Sequence, residues 1–346
     1  MSDSAAQGPP VQRIGGAQRV VRLISMICVY AMIMLVLAEA GLRVLGYKPQ
    51  KISARQHTIS TPDDKLGWIN IPGTYLSPEA GHAPMTFLDD HSRRSWTTPV
   101  KPGQHDQVLL VGCSFTQGFG VEDQDTFAYL LNARYPHVMF HNFGTGGYGT
   151  YQSLLRIRQN LAQPDANTIP LVIYGFIDLH LQRNVAVANW VRSLSSTRDQ
   201  YVVPPHVRMG TDGLEYYGPD TIPFWPLESH SALITLLANA YLELRLRHHG
   251  SQLTATTALI DQMNQTVIGA HKRFLIVLLN RPPNGLVPFL DSHKIAYANC
   301  DNPAYDKSPS EFRLGGVGHP NAAQNALWAA CIGNWIDREM PTLATH

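Results

Sequence analysis

This chain is poor in charge, in cysteine and in any net sign. Charged residues make up 15% of its 346, against roughly 25% in an ordinary soluble protein. Lys and Arg number 27 and Asp and Glu 26, for a net charge of +1. No surplus of cations remains to neutralise phosphates, which argues against a nucleic-acid binder. Hydrophobic residues reach 44%, too many for a chain whose main state is disordered. The four cysteines, Cys28, Cys113, Cys300 and Cys331, include no CxxC pair and no Cys/His cluster with zinc spacing. They are also too few for a disulfide framework. Cys28 and Cys113 lie in apolar surroundings and read as small buried residues. A Cys300–Cys331 bridge is an alternative that spacing alone does not establish. There is no internal repeat, and no GxxxxGK[ST] phosphate loop.

A mean hydropathy of −0.12 excludes a polytopic membrane protein but leaves room for one span. Leu23 to Ala38 is a run of sixteen residues without a charge. With Val20–Val21 before it and Gly41-Leu42 after it, a helix here reaches the roughly 20 residues that cross a hydrocarbon core. Glu39 and Arg43 are i,i+4 neighbours able to pair near the membrane surface, and Arg22 can snorkel at the other end. A cleaved signal peptide shares the charged start, but the run is long and Ala38-Glu39-Ala40 puts an acid at the cleavage site. A buried soluble helix is the plain alternative. An uncleaved signal anchor fits best. Arg13, Arg19 and Arg22 precede the span and Arg43, Lys48, Lys51 and Arg55 follow it, so charge bias does not fix orientation. An N-terminus inside is favoured, because the short leader stays while a large domain crosses. The expected organisation is a cytoplasmic leader (1–19), a transmembrane signal anchor (20–45), a stem and irregular packing segment rich in Pro, Gly and His (46–105), and a catalytic-type domain (106–340).

From Gln107 a different rhythm begins. Short apolar runs at Val108–Val111, Val138–His141, Leu171–Tyr174, Phe274–Leu279 and Ile295–Ala298 read as strands. Helical spacing appears at Asp125–Tyr135, Tyr151–Leu161, Ala232–His248 and Thr254–Ala270. A last helix runs from Pro320, placed in its first turn, to Glu339. A long insertion of irregular composition spans about 185–230. Alternation of strands and helices predicts an α/β fold, a parallel sheet covered by helices on both faces. Catalytic groups then gather at the carboxyl ends of strands.

Four segments sit where that rule looks. Gly112-Cys113-Ser114-Phe115-Thr116 follows the first strand and exposes a hydroxyl beside the N–H groups of a following helix. Asn142-Phe143-Gly144-Thr145-Gly146-Gly147-Tyr148-Gly149 follows the second, with glycines that permit close substrate approach. Tyr174 to Asn184 follows the third and carries Asp178 and His180, catalytic groups or simply loop ties. Gly318-His319-Pro320-Asn321 opens the terminal helix, a suitable seat for a general base. Cys113 is an alternative nucleophile, made unlike one by its place inside the strand end.

In this order the four resemble the SGNH/GDSL hydrolase family over about 107–338. The form with Gly112-Cys-Ser-Phe-Thr116 is most similar to its membrane-anchored bacterial subset, as are Glu39-Ala-Gly-Leu-Arg43 and Asp64-Lys-Leu-Gly-Trp68. The resemblance implies a three-layer α/β/α sandwich with a central parallel sheet (flavodoxin-like SGNH fold). It implies Ser114 as nucleophile, His319 as base, the N–H groups of Ser114 and Gly147 as oxyanion donors, and no cofactor or metal. The chain departs from the family three times, the mildest being Cys113 in place of the aspartate that normally precedes the serine. The acid expected two or three residues before the histidine is replaced by Val317 and Gly316. Glu311, Asp301, Asp306 or Asp178 are the acids left to reach His319; otherwise it acts in a dyad. The third oxyanion donor, an Asn in the family, falls on Ile177 or Leu179, with His180 or Asn184 as replacements. The implied function is a serine acyl-ester hydrolase or acyltransferase. Its partners are an ester-bearing small molecule or glycan, O-acetyl the expected acyl group, and a membrane through the N-terminal helix. The implied location is the bacterial inner membrane, with the domain facing the periplasm. The alternatives are a degenerate glycan-binding or assembly protein, and a membrane-lipid esterase.

Overall fold

The computed structural model describes residues 16–50, 59–79, 81–96, 106–195, 200–247, 250–316 and 318–344. The chain divides into two compact units, one made of residues up to 52 together with Phe224–Tyr241, the other of the rest. In the first, helix α1 (Gly16–Val44) is 29 residues long. Its most apolar 18-residue window has a mean hydropathy of 2.5 and no buried residue, so it is long and apolar enough to cross a membrane. Cys28, expected to be buried, lies exposed on this helix, which has no buried residue among those described. Arg43 Nε donates to Glu39 Oε1 at 2.6 Å. The Glu39 carboxylate also accepts from Ser231 Oγ at 2.8 Å and from the Ala232 and Leu233 N–H groups at 3.0 and 2.9 Å. It thus satisfies N–H groups that a helix start leaves without intrahelical partners.

The second unit opens with two antiparallel hairpins, β1 (Ser60–Asp63) with β2 (Gly67–Asn70), and β3 (Gly73–Leu76) with β4 (Pro84–Phe87). This stretch was expected to be irregular stem. Its strands are only four residues long, too short to show a period in sequence. There follow β5 (Asp106–Gly112), α2 (Ser114–Gln117), α3 (Phe127–Arg134), β6 (Val138–Asn142), α4 (Thr150–Leu161), β7 (Leu171–Phe176), α5 (His180–Asn184) and α6 (Ala188–Leu194). The insertion is not irregular throughout. It contains α6 and four short strands, β8 (Gln200–Val203) paired with β11 (Asp220–Pro223), and β9 (His206–Gly210) paired with β10 (Gly213–Tyr217). Chain order continues with α7 (Ala232–Arg245), α8 (Gln252–Gly269), β12 (Arg273–Leu278), α9 (Leu286–Ser292), β13 (Tyr297–Asn299), α10 (Pro309–Phe312), α11 (Ala322–Glu339) and α12 (Pro341–Ala344).

Five strands form one parallel sheet in the order β13-β12-β7-β5-β6. Alternate residues of these strands enter two separate cores. Val108, Leu110, Ile173, Leu275 and Val277 face Phe127 and Leu131 of α3 and Trp328, Ile332 and Ile336 of α11. Leu109, Val111, Val172, Tyr174 and Ile276 face Leu154 and Ile157 of α4 and Leu259, Ile260 and Met263 of α8. Burial on both faces explains why each strand reads as an unbroken apolar run. The fold is the expected three-layer α/β/α sandwich. Cys300 and Cys331 are joined by a disulfide, with Cα atoms 5.8 Å apart, tying the end of β13 to α11. The terminal helix starts two residues later than expected. Asn321 caps it by accepting the Gln324 N–H at 3.2 Å, which leaves Pro320 outside.

Candidate active site

The chain leaves β5 through Gly112, at φ +155°. A Cβ there would lie 2.2 Å from Thr116 Oγ1 and 2.8 Å from the Gly175 carbonyl, so only glycine fits. This turn lifts Ser114 to the start of α2 at the carboxyl edge of the sheet. β5 is flanked by β6 on one side and β7 on the other. Ser114 therefore stands where successive connections leave in opposite directions, the place where open α/β sheets bind ligands.

His319 Nε2 lies 3.1 Å from Ser114 Oγ, and His319 Nδ1 lies 2.9 Å from Glu79 Oε1. Serine, histidine and carboxylate thus form a continuous relay. The acid is none of those weighed from sequence. It comes from the β3–β4 connection, 240 residues before the histidine. Asp306 pairs with Arg313, Asp178 accepts from Asn280 at 2.7 Å, and neither Asp301 nor Glu311 bonds His319. Glu79 is seated by its own N–H on Ser77 Oγ at 3.0 Å and by the missing side chain of Gly318, where a Cβ would fall 2.3 Å from Glu79 Oε2.

The hairpin carrying Glu79 is clamped to the loop after Ser114. Arg93, fully buried, donates to Asp123 at 2.8 Å and to the carbonyls of Gly118 and Val121 at 3.1 and 2.8 Å. Asp123 also accepts the Thr86 N–H of β4 at 2.9 Å. Backbone bridges Phe87–Arg93 and Arg93–Asn142 join the same segment to the end of β6.

His319 is half-buried between rings, with Phe119 and Phe115 centroids at 4.8 and 6.0 Å. Burial pushes its pKa below the ordinary 6.5. The Glu79 carboxylate opposes that shift, and the positive charge of Arg183 adds to it. A base held neutral near pH 7 suits proton abstraction from a hydroxyl.

Ser114 N–H and Gly147 N–H have no hydrogen-bond partner among the described residues. Gly147 belongs to a turn closed by the Tyr148 N–H on the Thr145 carbonyl at 3.1 Å. That loop abuts α2. A Cβ on Gly144 would lie 2.3 Å from the Gln117 nitrogen, and Asn142 Nδ2 donates to the Thr116 carbonyl at 2.8 Å. Asn70 of β2 bridges the two, accepting from Gln117 Nε2 at 2.8 Å and donating to the Gly144 carbonyl at 3.3 Å.

The proposed replacements for a third donor are engaged elsewhere. Ile177 is buried in the core. His180 is fully buried, with Nδ1 2.6 Å from the Tyr174 hydroxyl. Asn184 Oδ1 accepts the Thr150 N–H at 2.7 Å and Asn184 Nδ2 donates to Thr256, which makes it a tie across α4 and α8. Cys113 is fully buried with no access for a substrate. Among the described residues no group of three His, Cys, Asp or Glu side chains is arranged to hold a metal. Sequence reading missed Glu79, Asn70 and Arg93. Trp68 was singled out only as part of a resemblance.

A cleft of about 630 Å³ lies beside Phe115 and Gly318, the neighbours of the serine and the histidine. Its walls carry Asp178, Asn280, Arg281, Asn284, Asp301 and Tyr305. Phe115, Leu179, Pro282 and Pro283 add apolar surface, so the walls are mixed.

No family model and no curated protein matches this chain. Among solved structures it is similar to a lipolytic G-D-S-L family member from Veillonella parvula, at 11% identity and a TM-score of 0.39, over 67% of this chain and 98% of that one. It is also similar to a mutant of Axe2, an acetyl-xylooligosaccharide esterase from Geobacillus Stearmophilus, at 11% identity and a TM-score of 0.38, over 70% and 98%. A third is the esterase EstA of a Pseudoalteromonas species, inhibited by monoethylphosphonate, at 11% identity and a TM-score of 0.35, over 67% and 99%. At these scores the likeness assigns neither substrate nor catalytic residues, and the chain is similar to these proteins in fold only.

Proposed function

We propose that this chain is a serine-dependent acyl-ester hydrolase or acyltransferase of the SGNH/GDSL type. The observation that carries the reading is the relay from Ser114 through His319 to Glu79. Ser114 Oγ attacks the ester carbonyl as His319 Nε2 takes its proton. Glu79 fixes the tautomer with the proton on Nδ1 and stabilises the imidazolium that forms. The N–H groups of Ser114 and Gly147 receive the oxyanion. His319 then returns the proton to the departing alcohol, and water or a sugar hydroxyl resolves the acyl-enzyme.

The Asp178, Asn280, Asn284 and Asp301 side chains lining the cleft beside the site can hydrogen-bond sugar hydroxyls, which supports a short acyl group on a glycan. The apolar helix α1 fits a signal anchor, and the Cys300–Cys331 disulfide favours a domain on the oxidising, periplasmic side of the inner membrane. A fluorophosphonate probe tests the chemistry. It should label the wild type, fail on Ser114→Ala and react slowly with His319→Ala. An absence of labelling on folded protein would leave the binding-protein alternative. A p-nitrophenyl ester series tests the substrate class: octanoate turned over faster than acetate would reject the glycan-ester reading.

A further inference from the structure

Gly146 and Gly147 are the two central residues of the turn Thr145–Tyr148, and Gly147 has φ +84°. A positive φ at the third turn position marks the type II form. Types I and II differ by a flip of the central peptide, here the one joining Gly146 to Gly147. That peptide carries the N–H proposed as an oxyanion donor. With glycine on both sides of it, neither orientation is excluded by a Cβ. Something outside the turn must choose.

Trp68 makes that choice. Its indole Nε1–H donates to the Gly146 carbonyl at 2.9 Å. The peptide is trans and planar, so its C=O and N–H point in opposite directions. Fixing the carbonyl on Trp68 aims the Gly147 N–H away from it. Trp68 is 4% exposed, and among the described residues its N–H has no other acceptor and the Gly146 carbonyl no other donor. A flip would break this part-buried hydrogen bond and leave the indole N–H of buried Trp68 without its acceptor, which is costly. Trp68 is itself pinned. The Tyr148 hydroxyl donates to its carbonyl, and the two rings meet edge to face at 5.7 Å. A Cβ on Gly147 would come within 3.1 Å of the Trp68 ring and 3.3 Å of the Trp190 ring.

We propose that Trp68 is a positioning residue that holds the Gly146–Gly147 peptide in the orientation presenting the Gly147 N–H to the developing oxyanion. The proposal rests on the serine-hydrolase reading above, and it gives the Asp64-Lys-Leu-Gly-Trp68 motif a task. Asp63 Oδ1 accepts the Lys65 and Leu66 N–H groups at 2.9 and 2.7 Å, and Gly67 turns at φ +83°. The motif is the β1–β2 turn that delivers the indole.

Trp68→Phe keeps a ring and removes the N–H. Benzothienylalanine at position 68, nearly isosteric with Trp and also without N–H, serves if the Phe variant folds poorly. With p-nitrophenyl acetate, kcat should fall roughly 10- to 100-fold, somewhat less than the full loss of one oxyanion donor. KM should stay within about twofold and the acidic limb should not move, since His319 and Glu79 are untouched. Unchanged kcat in both variants, or a loss that follows KM, would overturn the proposal. If the wild type shows no Ser114-dependent turnover, the hydrolase reading is what fails. A crystal structure of Trp68→Phe then decides the orientation claim: a flipped or twofold-disordered Gly146–Gly147 peptide supports it, and an unchanged one rejects it.

Discussion

The sheet and the hairpin segment before it stand in contrast. The sheet is built from apolar strands buried on both faces. The hairpins of residues 60–87 are short and partly exposed. Yet the hairpins supply the carboxylate on His319, a tie from Thr86 to Asp123 in the loop after Ser114, and the tie to the glycine turn, and Arg93 just beyond them clamps that same loop. The sheet supplies a buried core and the place, and the segment supplies the groups that complete the candidate site. Stability and chemistry should therefore respond to different substitutions.

The largest effect is expected where both regions meet. Ser114→Ala should lower kcat by about 10^4- to 10^6-fold with no change in Tm. Appreciable residual turnover would mean that another nucleophile acts. Glu79→Gln should cost roughly 10^2- to 10^4-fold in kcat, because the amide no longer fixes the tautomer or balances the imidazolium. Its pH profile carries a sign. Glu79 raises the His319 pKa, so its loss lowers it further, and the acidic limb of kcat/KM should move to lower pH. Arg183→Gln should move that limb upward, because a cation that lowers the same pKa is gone. Limbs moving in the same direction would reject this electrostatic picture.

Effects on stability follow. Arg93→Ala leaves buried Asp123 with Arg94, at 2.5 Å, as its remaining ionic partner among the described residues. Removing one member of a buried pair costs about 3–5 kcal/mol. Urea unfolding should report this, with a fall in kcat as Glu79 loses its support. Replacing Cys300 and Cys331 by Ser opens a loop of separation 31 and should cost about 2–4 kcal/mol with kcat unchanged at 25 °C. If the disulfide variant instead lost activity at full stability, the separation of roles between the two regions would collapse. The smallest effect concerns acid. Burial holds His180 well below its ordinary pKa of 6.5. Its contribution is complete above that value and drains as pH falls toward its depressed folded pKa. Stability measured from pH 7 downward should fall less steeply in His180→Phe.

How much was legible follows from the same contrast. Val108–Val111 and Leu171–Tyr174 announce strands because both faces are buried. Ser114 and His319 stood out as candidates because each stands at the mouth of a helix next to a glycine turn, and the fold brings them to 3.1 Å. Glu79 was not, because no local spacing links it to a histidine 240 positions later. His180 and Asn184 misled for a related reason. They occupy the right edge of the sheet, but their side chains turn inward to Tyr174, Thr150 and Thr256. Cys28 misled by composition, since an apolar neighbourhood along the chain is no guarantee of burial.

Under the proposed serine-hydrolase function, the remote origin of Glu79 has an evolutionary consequence. A histidine whose orienting carboxylate comes from a separate hairpin frees its own flanking residues from catalytic selection. Gly316 and Gly318 can then serve loop geometry instead, and Gly318 makes room for the incoming acid. Selection on activity would act jointly on two distant stretches of chain. Glu79 and Gly318 should accordingly be inherited together or lost together, and neither should drift alone.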